Sequence, residues 1–419
     1  MALTDHAVAS PESFPPSRSP INLAYFVSHP IQYQAPLLRK IAALPDIRLK
    51  VFFFSDISMR AYADKGFGVE VKWDIPLTNG YDHEFLPTLR NRGNLAFADP
   101  VCTGIYERLQ NGNFDAVWVH GYHTVNNLNV ILSAKMLGLP VLLRAESTLI
   151  DRPRSRSRLL LKKTFFFILR HFVDAVLPVS SLNAEYWTEH FGSQIPQFPM
   201  PYAVDNEFFQ RLAAQAQNAT ASLRTELGLE PERPVILYAS KLQTRKRCID
   251  LVNAYLELVN TLQLRQKPYL LIIGDGEERK NIEMRIAQSG ETDIRMLGFR
   301  NQTELPRYFS LCDVFVLPSV HEPFGLIVNE VMNAARAVVV TDEVGCQRDL
   351  VQHGETGMVI PARDVKALKD ALQYVLEEPG RARRMGQNAL ARVRQFSFDQ
   401  DIEGLRRSLD YFQPEFHRT

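Results

Sequence analysis

The segment PSVHEPFGLIVNE, residues 318–330, sets Glu322 and Glu330 eight positions apart around Pro323, Phe324 and Gly325. A helix opened by Gly325 would present unpaired backbone N–H groups over Phe324, Gly325 and Leu326, a seat for phosphate. Glu330, about two turns into that helix, could accept hydrogen bonds from a ribose diol. Glu322, ahead of the helix, could do the same for hydroxyls of a sugar carried on the phosphate. Isolated glutamates are more often solvated surface residues, but SKLQTRK adds Ser240 and Lys241, with Lys246 five positions on. Two cations aimed at the same place could neutralise a diphosphate.

Positioning such groups needs a scaffold. At 419 residues the chain exceeds the roughly 250–300 that one core can serve, so two domains are expected. From residue 21, short runs rich in Val, Ile and Phe alternate with helix-length amphipathic segments, the pattern of parallel strands joined by crossover helices. NLAYFVS, RLKVFFFS, FDAVWVHG, PVLLRAE and DAVLPVS are the expected strands of the first half. PVILYAS, YLLIIGDG, IRMLGF, DVFVLPS and RAVVVTD are those of the second, after the Pro-broken stretch 196–205. Ligands of such sheets bind beyond the carboxyl ends of the strands. Those ends hold Ser28-His29-Pro30, His120 to His123 and Arg144-Ala145-Glu146 in the first half. In the second they hold Ser240-Lys241, Gly274-Asp275-Gly276, Gly298-Phe299-Arg300, Ser319 to Glu322 and Thr341 to Cys346. The pair Asp399 and Asp401, at an expected helix start, is read as capping.

A net charge of +1 gives no global pull toward nucleic acid, and none is expected as a partner. Cys102, Cys248, Cys312 and Cys346 are scattered without metal-ligand spacing, so reduced cytosolic thiols are expected and no metal site. Residues 1–20, rich in Pro and Ser, lack the apolar stretch of a signal peptide and read as a disordered tail. No run approaches the roughly 18 apolar residues of a spanning helix. Residues 152–172, RPRSRSRLLLKKTFFFILRHF, join a basic cluster to an apolar continuation. They read equally as a surface for anionic lipid or as a domain helix with a solvated start.

SKLQTRKRCIDLV, IIGDGEERKNIE, MLGF and the stretch from PSVHEPFG to GMVIP together resemble the nucleotide-sugar half of the retaining glycosyltransferases of family 4. FDAVWVHGYH and SHPIQYQAP resemble the first half of a bacterial subgroup with a His-Pro-Ile-Gln-Tyr start. The resemblance implies the GT-B fold: two Rossmann-like, doubly wound parallel-sheet domains facing a cleft. It divides the chain into the tail 1–20, an acceptor-side domain 21–202, a nucleotide-sugar domain 203–396 and a C-terminal helix segment 397–419 packing toward the first domain. It implies that Glu322 and His120 meet the donor sugar, Glu330 the ribose, and Lys241 and Lys246 the diphosphate. Ser240, Gly274, Gly298, Phe299, Phe324, Gly325 and Leu326 complete the donor side. His29, Gln32, Tyr33, Arg144 and Glu146 are expected on the acceptor side.

The expected activity is transfer of a sugar, with retention, from a nucleotide sugar to a saccharide or lipid-linked acceptor in bacterial polysaccharide or glycolipid assembly. No metal or cofactor is expected, and the expected place is the cytoplasm, peripheral to the inner membrane face. A sugar-nucleotide epimerase of the same fold and a catalytically idle assembly partner are the alternatives.

Overall fold

The computed structural model describes residues 19–64, 66, 68–150, 156–261 and 266–412. The expected tail therefore lies almost wholly outside the described residues, as do Arg152 and Arg154.

The first sheet contains β1 (Ile21–Val27), β2 (Ile47–Phe53), β3 (Asp82–Phe85), β4 (Ala116–His120), β5 (Val141–Arg144) and β6 (Ala175–Val176), in the order β3-β2-β1-β4-β5-β6. The second contains β7 (Val235–Ala239), β8 (Tyr269–Ile273), β9 (Ile294–Gly298), β10 (Val314–Leu317), β11 (Ala337–Thr341) and β12 (Gly357–Ile360), in the order β9-β8-β7-β10-β11-β12. All pairs within both sheets are parallel. Helices cover both faces, so the central strands read as continuous apolar runs rather than alternating ones. VILYA of β7 and YLLII of β8 are buried at every position.

In each sheet the order reverses between the first and fourth strands, opening a crevice at their carboxyl ends. In the first domain that crevice receives the residues after Val27 and His120. In the second it receives the residues after Ala239 and Leu317. Ser28-His29, His120, Ser240-Lys241 and the loop to Glu322 thus converge because of topology. Each sheet also has an edge strand that the apolar pattern does not announce, β3 (DHEF) and β12 (GMVI).

The chain passes between domains at Met200 to Val204 and returns through the helix Phe398–Phe412. Phe398, Ile402, Leu405 and Leu409 of that helix join Leu23, Tyr25 and Trp118 in the first domain's core. Its start is not capped by Asp399 or Asp401. Ser397 and Gln400 form the capping box: Ser397 Oγ accepts from the Asp399 amide at 3.2 Å, and Gln400 Oε1 from the Ser397 amide at 3.0 Å. Asp399 instead pairs with Lys40 at 2.7 Å, and buried Asp401 pairs with buried Arg144 at 2.7 Å. Gly404 admits close contact here, since a Cβ there would stand 2.0 Å from the Pro199 carbonyl oxygen. Across the cleft, Asn301 Nδ2 donates to the Lys72 carbonyl at 2.7 Å and the Thr303 amide to Asp74 at 3.1 Å.

Candidate active site

A cavity of about 440 Å³ lies between the domains, lined on one side by Ser240, Lys241, Arg245, Lys246, Gly274, Phe299, Arg300, Gly325, Leu326, Glu322 and Glu330, and on the other by His29, Gln32 and Trp73. Four cations therefore face two carboxylates, the balance an anionic ligand requires.

Glu322 is the electrostatic centre. It is buried and accepts from Lys246 Nζ and, at 3.1 Å, from Arg245. Its backbone is clamped by β11's following loop: its amide donates to the Glu343 carbonyl at 3.1 Å, and the Gly345 amide donates to its carbonyl at 2.9 Å. Gly345 must be glycine, because a Cβ would lie 1.9 Å from the Pro323 carbonyl oxygen. Burial opposes ionisation of Glu322, but the Lys246 and Arg245 charges outweigh it and hold the carboxyl below its usual value. Burial likewise draws Lys246 below its ordinary value, while Glu322 acts to keep it charged.

Glu330 has the opposite character. It is half-buried, lines the cavity and accepts no hydrogen bond from any described residue. Paired with no cation among the described residues, it is governed by burial, which pushes its carboxyl up to about 8. The helix carrying it is Ile327–Asn333, so Glu330 sits in the first turn rather than two turns in. Residues 318–326 form a longer loop than expected, with Gly325 at φ +95°, a left-handed conformation suited to glycine. A seven-residue helix is a short source of dipole, so the cations carry most of the positive field. The Phe324 ring turns away from the cavity, is buried, and packs edge-on against Tyr202 at 5.3 Å. Gly298 also stands behind the lining, its carbonyl accepting from the Gly274 amide at 2.9 Å.

A second cavity, about 540 Å³, adjoins the first through Arg245 and is lined by Tyr33, His120, Tyr122, His123, Glu146, Thr148, His321 and Pro323 among others. Glu146 Oε1 accepts from the hydroxyls of Tyr33 at 2.8 Å and Tyr202 at 2.6 Å. His120 lies 3.3 Å from Gln34 Nε2 and 3.4 Å from the Tyr202 hydroxyl. Burial, with the Arg144 charge and then His123 and His29, pushes His120 down to about 3, and burial pushes His29 down to about 4. Both are neutral at pH 7, suited to exchanging hydrogen bonds with hydroxyl groups.

Two acceptor-side expectations change. Arg144 reaches neither cavity: its guanidinium binds Asp401 and, at 2.8 Å, the Met200 carbonyl, and lies over the Tyr202 ring at 4.8 Å. It is a buried tie between segments. His29 and Gln32 face the cavity of Lys241 and Glu330, whereas Tyr33 and Glu146 share the other. Arg245, Trp73 and Gln302 were not foreseen. Arg245 had a signal, since it precedes Lys246 in a cationic run. Trp73 had none, because an inter-domain contact far from the motifs brings it there. Among the described residues no cluster of three or more His, Cys, Asp or Glu could hold a metal ion.

Residues 220–392 match the family of glycosyl transferases group 1. Among curated proteins, the chain is 32% identical over 178 residues to the alpha-D-kanosaminyltransferase of Streptomyces kanamyceticus, covering 42% of this chain and 45% of that one. It is 27% identical over 247 residues to the lipopolysaccharide core biosynthesis mannosyltransferase LpsB of Rhizobium meliloti, covering 57% and 66%. The chain spans about half the length of the first of these relatives. Among solved structures, a glycosyltransferase from Rickettsia africae superposes with a TM-score of 0.70 at 16% identity, over 96% of this chain and 100% of that one. Anabaena Alr3699/HepE in complex with UDP does so with 0.70 at 18%, over 94% and 100%. The architecture is the GT-B fold.

Proposed function

We propose that the protein is a retaining glycosyltransferase that moves a sugar from a nucleoside-diphosphate donor to an acceptor hydroxyl. The observation that carries this reading is the Lys246–Glu322–Arg245 network, set at the wall shared by two cavities and flanked by Lys241 and the unpartnered Glu330. The nucleotide would occupy the cavity of Glu330, Phe299 and Arg300, with the ribose diol on Glu330 and the diphosphate among Lys241, Arg245 and Lys246. The acceptor would enter the cavity of His120 and Glu146. As the bond from the anomeric carbon to the phosphate oxygen breaks, the three cations take up the charge left on the diphosphate, in place of a metal. The acceptor oxygen bonds to the anomeric carbon on the same face, and its proton passes to the departing phosphate oxygen. Glu322 and neutral His120 orient the sugar. The place of this activity is bacterial polysaccharide or glycolipid assembly in the cytoplasm, with no cofactor beyond the donor.

A thermal-shift panel of UDP, GDP, ADP and their sugars tests the reading. A ligand that binds only the folded state raises stability by about 2.7 kcal/mol at a hundredfold excess over its Kd. One base should stand out, and no shift with any nucleotide would overturn the assignment. Conversion of the donor alone into a different sugar nucleotide would instead identify an epimerase.

The Glu330 carboxyl provides a pH signature. Free, it titrates near 8; a diol donating two hydrogen bonds favours its ionised form and lowers that value. The complex then holds fewer protons than the free protein, so nucleotide binding releases a proton near pH 7. Affinity should rise with pH up to about 8 and level off above it. Calorimetry in buffers of different ionisation enthalpy measures the release. Glu330→Gln should abolish it and weaken free nucleotide and sugar nucleotide alike.

A further inference from the structure

The helix Arg156–Leu169 leaves an apolar face uncovered. Phe166 and Leu169 are buried against the first domain, where Phe166 packs on Tyr122 at a ring separation of 5.2 Å. Tyr122 lines the 540 Å³ cavity, so the helix stands beside it. On the outer side, Leu160 and Phe167 are 68% and 57% exposed, and Leu161 and Ile168 are 71% and 55% exposed. Each pair is seven residues apart, so the four side chains form one stripe along two turns. Exposed Lys163 and Arg170, also seven apart, run along the same stretch. Single exposed apolar residues need no explanation, but an ordered stripe of them does.

The charge of the segment identifies the occupant. Residues 152–172 contain seven Lys or Arg and no Asp or Glu. An apolar stripe bordered by exposed Lys163 and Arg170, in a segment without acidic residues, matches an anionic bilayer surface, where the apolar side chains enter the acyl boundary and the cations meet headgroups. No helix among the described residues is long and apolar enough to cross a membrane.

The geometry points to this face as a docking surface for anionic lipid, which would set the mouth of the His120–Glu146 cavity against the bilayer. The proposal is independent of the chemistry assigned to the cavity.

The test is sedimentation of the full chain with phosphatidylglycerol/phosphatidylcholine vesicles and with pure phosphatidylcholine vesicles. Binding is expected only to the anionic vesicles, and 0.5 M salt should reverse most of it. Leu161→Ser/Ile168→Ser should lower the partition about a hundredfold. Lys163→Gln/Arg170→Gln should lower it roughly thirtyfold. All four side chains are exposed, and unchanged melting temperatures would show that the variants fold. If the wild type ignores anionic vesicles at low salt, or the variants bind as well as it does, the proposal is wrong. It also falls if light scattering finds a dimer that Leu161→Ser/Ile168→Ser dissociates, since the face would then serve a second copy.

Discussion

Lys246→Met is expected to weaken nucleoside-diphosphate binding by about 1.5–3 kcal/mol, the worth of a charged hydrogen bond, and to lower the stability of the fold as well. The stability loss arises because Glu322 stays buried with only Arg245 to balance it. Breaking a buried ion pair costs about 3–5 kcal/mol, and the remaining arginine should hold the loss near the lower end. Lys246→Met/Glu322→Gln removes both charges and should recover most of the stability but none of the diphosphate affinity. Glu322→Gln alone frees two cations, so it should spare or strengthen the free nucleotide while impairing sugar-nucleotide binding and turnover. Calorimetry with nucleotide and sugar nucleotide, beside urea denaturation, separates these effects. Recovery of nucleotide affinity in the double variant would move the diphosphate away from Lys246.

The second large effect concerns the tie between the first domain and the C-terminal helix. Arg144→Met should destabilise the protein by about 3–5 kcal/mol above pH 7, where it strands the Asp401 carboxylate in a dry core, and by less at lower pH, where Asp401 takes up a proton. Arg144→Met/Asp401→Asn, with no buried charge left, should be markedly more stable than the single variant. The pH dependence has a definite sign. Burial pushes Asp401 up to about 7 in the folded chain despite the Arg144 charge, whereas an unfolded Asp titrates near 3.9. Between those values the folded state holds a proton that the unfolded state lacks. Asp401 therefore makes the fold less stable as pH rises from about 4 to 7 and adds no further slope above that. Glu330 acts in the same direction up to about 8. Urea midpoints across pH 5–8 should fall less steeply in the double variant than in the wild type. An unchanged slope would mean that Asp401 is ionised throughout.

The doubly wound pattern was legible because buried parallel strands are unbroken apolar runs, and the convergence of Lys241, Lys246, Glu322 and Glu330 followed from their places at strand ends. The strands missed, β3 and β12, are edges: DHEF is half-exposed along its length, and GMVI is short and follows a glycine-containing turn. Chain-distant pairing was the other blind spot. Nothing near Arg144 announces a partner at Asp401, and the strand-end rule placed it in the cleft when its side chain points into the core. The pairing of Lys246 with Glu322 was hidden for the same reason, although both residues had been singled out. The site's residue types could be read from local motifs, but which charges neutralise each other is decided by the fold.

The two passages between domains also have a mechanical meaning. They run side by side: Asn206, just after the first, donates to the Phe396 carbonyl at 3.2 Å just before the second, and Gly404 lies against Pro199. Two adjacent pins on one edge allow rotation about the line through them but resist sliding and twisting. Away from that edge, the cleft is bridged by polar links such as Asn301 to Lys72 and Thr303 to Asp74, which water can replace. Rotation about that line, the spine of a book, would carry Trp73 on one cover toward Phe299 and Arg300 on the other, narrowing the cavity they share at its fore-edge.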